Sequence, residues 1–139
     1  MDCGTIFYDQ AFQFTGGPEG KKLAVVLCEY GKDHLIVKTT TSQVHSVKSN
    51  TPGCNAKDEQ PNFFIPKGTW FDVPTWIELD EVFEHVSYVH DAKTKDGTLI
   101  VQRKKLDLEM MKQIIDCALL SDLIDGFLLD HLRMMRAKM

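Results

Sequence analysis

The sequence predicts an α+β fold, mainly β with helices gathered at the C-terminal end, and three observations carry that expectation. Short runs rich in Val, Ile, Phe, Tyr and Thr recur from Thr5 to Gln102, punctuated by Gly, Pro, Asn and Asp. After Leu106 the apolar spacing changes to three and four residues, the period of an amphipathic helix. The 139 residues, 43% apolar and 26% charged, suit one domain built on one core.

Taken in order, Thr5–Tyr8 and Ala11–Phe14 read as two short aromatic strands divided by Asp9 and Gln10. Gly16, Gly17, Pro18 and Gly20 follow within a few residues and mark a mobile loop that can overhang the next strand. Lys21–Glu29 and His34–Ser42 are apolar runs joined across Tyr30-Gly31-Lys32-Asp33, as expected of two consecutive buried strands. The second ends in four hydroxyl residues, Thr39, Thr40, Thr41 and Ser42.

Gln43–Asn62 is polar, and a connection of that length in a small domain points to a functional loop. Strand candidates resume at Asn62–Ile65, Thr75–Leu79 and His85–Val89. Within the second of these, the two-residue period puts Trp76, Glu78 and Asp80 on one side and Ile77 and Leu79 on the other. Lys93–Gly97 ends in Asp96-Gly97 and reads as a hairpin turn leading to a strand at Thr98–Gln102.

Asp107 is placed to cap a helix over 107–120, with Glu109 near the positive end of its dipole and Leu106 positioned to meet Met111. A second helix is expected over 122–137, capped by Ser121 or Asp122, with Leu123, Ile124, Phe127, Leu128, Leu132 and Met135 on its apolar face. Gly126 inside that span costs about 1 kcal/mol relative to Ala.

No apolar run approaches the roughly 18 residues that cross a bilayer, and the first residues have neither a basic nor an apolar leader pattern. A cytoplasmic protein without a membrane partner is the expectation. A net charge of −4 gives no global positive field, although Lys93, Lys95 and Arg103–Lys105 form one basic cluster and Arg133, Arg136 and Lys138 another. Cys3, Cys28, Cys54 and Cys117 include no C-x-x-C pair, which in such a chain favours reduced thiols over disulfides or zinc. His45, Cys54, His85 and His90 come nearest to a ligand set, but their spacing matches no tight metal pair; neither metal nor cofactor is expected. Nucleophile-elbow, phosphate-loop and dinucleotide-binding glycine patterns are missing from the sequence.

What remains is a polar set at strand ends. Thr39–Ser42 offer hydroxyls to a phosphate, Lys21 and Lys22 offer positive charge, and Asp80 or Glu81 can serve as base or orienting acceptor. Structurally, Thr at strand ends also needs no more than its own strand propensity.

The order of these pieces resembles the PemK/MazF family of type II toxins. The matching features are the Gly16–Gly20 loop, Lys22–Leu27, Thr39–Ser42, Trp76–Glu81, and Leu106–Glu109 leading into Ile114–Ala118. The resemblance implies a small SH3-like barrel with appended helices, a homodimer, metal-independent cleavage of single-stranded RNA, and an antitoxin or other protein partner. Carried over, it implies that Lys22 stands at the family's Arg, Thr40 or Thr41 at its strand-end hydroxyl and Asp80 at its strand-end Asp, so that Lys22, Thr40, Thr41 and Asp80 are the expected catalytic set; Lys21, Ser42 and Glu81 of the strand-end cluster are expected around the substrate. Two positions depart from the family pattern: Lys22-Leu23 stands for Arg-Pro, and Glu78 stands where catalytic relatives can carry Arg. Lys lacks the planar fork of Arg, and a carboxylate repels phosphate. The alternative is a non-catalytic barrel of the same fold, acting as a protein-binding module like the CcdB-type toxins or as a phage or mobile-element accessory protein.

Overall fold

The computed structural model describes residues 1–41 and 48–139. Among them, a mainly antiparallel sheet carries three helices, two of them C-terminal, in agreement with the α+β expectation. The elements run β1 (Thr5–Gln13), β2 (Glu19–Tyr30), β3 (Asp33–Thr40), β4 (Gly53–Asn55), β5 (Asn62–Ile65), β6 (Thr75–Glu78) and β7 (Phe83–Val86). Then come α1 (Ser87–Asp96), β8 (Leu99–Lys105), α2 (Leu108–Ala118) and α3 (Gly126–Ala137). Spatially the strands follow the order β4-β5-β6-β3-β2-β1-β8, with β7 paired to the N-terminal part of β3.

The expected pair at the centre holds. β2 and β3 form an antiparallel hairpin with Val25 opposite Val37 and Val26 opposite Ile36, turning at Gly31, whose φ of 56° suits a residue without Cβ. Both faces of this hairpin are covered, so its strands are continuous apolar runs. On one face Val25, Leu27, Leu35, Val37, Ile77 and Leu79 pack with Met111, Ile114, Ile115 and Leu132 of α2 and α3. On the other, Ala24, Val26 and Ile36 meet Phe7, Phe12, Phe83 and Leu99.

Several local expectations are corrected. The two N-terminal aromatic runs are one strand, β1, with a bulge between Asp9 and Phe12 that re-aims the chain. Of the expected His85–Val89 strand only His85 and Val86 are extended, as the end of β7; Ser87 starts α1, and Lys93–Gly97 closes that helix and is not a hairpin turn. Gly97 at φ 83° closes that helix, and Lys93 and Lys95 sit at its negative end. Asp107 caps α2 as expected, accepting from Met110 N. The last helix starts later than its apolar pattern implies: Asp125 is the cap, accepting from Phe127 N. Gly126 therefore stands at the first helical position, where the interior penalty does not apply. Ser121 instead donates to the Leu79 carbonyl at 2.7 Å and fixes the end of α2 on the sheet.

The cysteines also differ from expectation. Cys54 and Cys117 form a disulfide that ties the edge strand β4 to α2, while Cys3 and Cys28 are free. Spacing along the chain could not reveal the pair, because 63 residues separate them and the fold brings them together. Gly4 has the tightest backbone requirement: at φ 88°, a Cβ there would lie 2.5 Å from the Leu106 carbonyl oxygen.

Candidate phosphate-facing site

The register of three strands builds one polar patch. Ala24 pairs with Lys38 and Thr40 with Trp76, so the two-residue period sets Lys22, Lys38, Thr40, Trp76 and Glu78 on a single face. Lys38 Nζ stands 3.1 Å from Glu78 Oε2, and Lys48 Nζ stands 3.7 Å from Glu78 Oε1. Glu78 is 5% exposed, and a carboxylate at that depth persists because cations flank it. Lys38 also lies over the Phe83 ring, 5.5 Å from its centroid.

Lys22 completes the patch. Burial pushes its pKa below the ordinary lysine value; Glu78 acts in the opposite direction, and Lys38 and Lys48 reinforce the lowering. Three ammonium groups around one carboxylate leave a local positive excess on a chain whose net charge is −4. Among the described residues, Lys22 makes no ion pair, which leaves its proton donors to an incoming anion.

Lys48 is held in place by its neighbour. Ser49 donates through its backbone N–H and its hydroxyl to Asp58, and its carbonyl accepts from Trp76 Nε1 at 2.7 Å. Burial alone would raise the Asp58 carboxyl, but these bonds from Ser49 and one from Asn62 hold it below its usual range.

The sequence-derived site residues divide between places. Lys22 and Thr40 share the patch. Thr41 belongs to the opposite side of the strand and lines a separate groove of about 350 Å³ with Leu23, Trp70, Arg103 and Lys104. Lys21 alternates away from Lys22 and is exposed. Asp80 comes four residues after Trp76, roughly two pleat repeats beyond Thr40, and its Oδ2 accepts from Gln60 at 3.2 Å. Glu81 is half-buried next to it, before β7. Ser42 lies outside the described residues, as does His45.

Sequence reading missed Lys38 and Lys48. Alternation alone places Lys38 on the face of Thr40, so that signal was present. Lys48 arrives from across the β3 to β4 connection and had none. Of the four residues closest to a metal set, Cys54 is in the disulfide and His85 is hydrogen-bonded to His90.

A second polar cluster sits at the other end of the same face. His85 Nε2 lies 3.0 Å from the Gln13 carbonyl oxygen, His85 Nδ1 lies 3.2 Å from His90 Nε2, and His90 Nδ1 lies 3.1 Å from His34 Nδ1. The carbonyl can only accept, which fixes the proton order of neutral rings: His85 donates to Gln13, His90 to His85, and His34 to His90. His34 Nε2 is then the acceptor, and the Met1 ammonium donates to it at 2.8 Å and to Glu29 at 3.0 Å. Burial lowers the pKa of all three rings, and that of His90 is pushed down to about 3, with His85 and His34 adding to the effect. Nearby, the buried Asp9 pairs with Lys93 of α1 at 3.0 Å.

Comparison of the chain with protein-family models, with curated proteins and with solved structures finds no match, so its own geometry carries the functional reading.

Proposed function

We propose that the Lys22, Lys38 and Lys48 patch binds the phosphodiester backbone of single-stranded RNA, and that the protein is a PemK/MazF-like, toxin-type endoribonuclease on an SH3-like barrel. The observation carrying this reading is the convergence of three lysines from β2, β3 and the segment before β4 on one buried glutamate. An acidic chain has no stability reason to collect cations there in excess of carboxylates.

Cleavage would proceed by attack of the ribose 2′-oxygen on phosphorus. The new O–P bond gives a 2′,3′-cyclic phosphate, and the bond to the 5′-oxygen breaks. Glu78 is the carboxylate beside the lysines and takes the 2′-hydroxyl proton in this scheme, where the family pattern assigned Asp80. Lys22, whose proton is more easily released than that of an ordinary lysine, protonates the departing 5′-oxygen. Thr40 lies on the same face, beside the lysines. The homodimer and antitoxin partner belong to the same reading.

Two measurements test it. Anisotropy of a labelled single-stranded RNA across a salt series should give a log–log slope near −2 for about three phosphate contacts, and Lys22→Ala should make it shallower by about 0.7. Incubation with a mixed single-stranded RNA pool should yield fragments with wild type and none with Lys22→Ala or Glu78→Gln. An unchanged slope in Lys22→Ala removes the binding reading; binding without fragments removes cleavage.

A second reading, a non-catalytic protein-binding module, draws on the exposed apolar residues Leu120, Leu123, Phe127 and Met134 around α3. It expects a growth effect on induced expression that survives Lys22→Ala and disappears with Phe127→Glu. No growth effect from either protein favours the accessory role.

A further inference from the structure

We propose that the open edge of β8 is a docking site for an extended acidic peptide, which pairs with it as an added strand. β8 closes one end of the strand order, with β1 on its inner side and, among the described residues, no strand on its outer side. After the buried Leu99, six consecutive residues from Ile100 to Lys105 are exposed. Ile100 and Val101 are 49% and 46% exposed, which is unusual for apolar residues on a strand long enough to pair.

The β1 register shows which backbone groups are free. Gln10 N–H donates to the Thr98 carbonyl, which makes Gln10–Thr98 a hydrogen-bonded pair, and the antiparallel alternation makes Tyr8–Ile100 the next one. Val101 is then a non-bonded partner of Phe7, so its N–H and C=O point outward. Alternating donors and acceptors at this spacing match another peptide backbone; a nucleic acid has no such repeat.

Charge identifies the occupant. Ile100-Val101-Gln102-Arg103-Lys104-Lys105 carries three cations and no carboxylate within a chain of net charge −4; Lys105 is paired with Asp2 at 3.1 Å, and Arg103 and Lys104 have no carboxylate partner among the described residues. A second copy would bring its own Arg103 and Lys104 to the same ladder, while an acidic strand neutralises the two already there. Beside the edge, the groove lined by Trp70, Phe71, Gln102, Arg103 and Lys104 offers room for an apolar side chain next to two cations. Main-chain pairing supplies the affinity in such a complex, and the pockets for alternate side chains supply the selectivity. The site is independent of the Lys22 patch and stands or falls separately from it.

The probe is a fluorescein-labelled eight-residue peptide of alternating glutamate and valine, read by anisotropy. Binding should weaken as salt is raised, and should fall about 10-fold or more when Arg103 and Lys104 are both changed to Glu. Val101→Pro removes an outward N–H without touching the β1 ladder and should also weaken binding about 10-fold. Two further peptides, N-methylated on odd or on even residues, leave the protein untouched: one should bind like the parent and the other should fail. Equal binding by both methylated peptides overturns strand addition. Displacement of the peptide by an oligouridylate of equal charge, or no peptide binding together with a dimer lost on Val101→Pro, overturns the acidic-peptide occupant.

Discussion

Lys38 Nζ and Glu78 Oε2 stand 3.1 Å apart across the junction of β3 and β6, and the contact is ionic without an aligned hydrogen bond. Removal of the carboxylate leaves three ammonium groups facing one another at reduced dielectric. Glu78→Gln should therefore cost about 3 kcal/mol in urea unfolding, whereas Lys22→Ala, which breaks no ion pair among the described residues, should cost at most about 0.5 kcal/mol. Equal costs would mean that Glu78 does not anchor the lysines.

The imidazole chain gives the protein an acid-sensitive stability. His34, His85 and His90 all have folded-state pKa values below the ordinary 6.5, so the unfolded chain binds their protons more readily. Their contribution is complete above pH 6.5 and is lost as pH falls towards the depressed values, by up to about 1.4 kcal/mol per pH unit for each proton taken up on unfolding. The urea midpoint should fall between pH 7 and pH 5, and His90→Gln should flatten that dependence. A midpoint independent of pH over this window in the wild type would contradict the neutral tautomer chain.

The Cys54–Cys117 disulfide closes a long loop, and its loss should lower stability by about 4 kcal/mol in the chain-entropy account. Thermal unfolding with and without a dithiol reductant measures this, with thiol titration reporting four thiols against two. Cys54→Ser should behave like the reduced protein. Identical melting in both conditions would mean that β4 and its neighbours are held by Asp58 and Trp76 alone.

Asp9 is fully buried and meets Lys93, which also donates to the Ala11 carbonyl at 2.7 Å and so joins α1 to the β1 bulge. Lys93→Met should cost about 3 kcal/mol, because it leaves a buried carboxylate without its cation. Asp9→Asn combined with Lys93→Met should cost less than the sum of the two single changes. Additive costs in chemical denaturation would show that the pair is uncoupled.

By itself the sequence determined the central hairpin, the cap at Asp107 and the helical layer, because these depend on periodicities and local hydrogen bonds that a short window contains. It also determined which face Lys38 shares with Thr40, since alternation along a strand is local. It misread α1, whose polar sequence buries little beyond His90, and it placed the start of α3 too early, since Leu123 and Ile124 continue the apolar spacing ahead of the Asp125 cap. Tertiary structure decided the rest. The pairing of Cys54 with Cys117, the meeting of Lys48 with Glu78, the bond of Gln60 to Asp80 and the joining of three histidines all depend on strand register and crossover. Those join residues distant in the chain, and no spacing along the sequence encodes such distances.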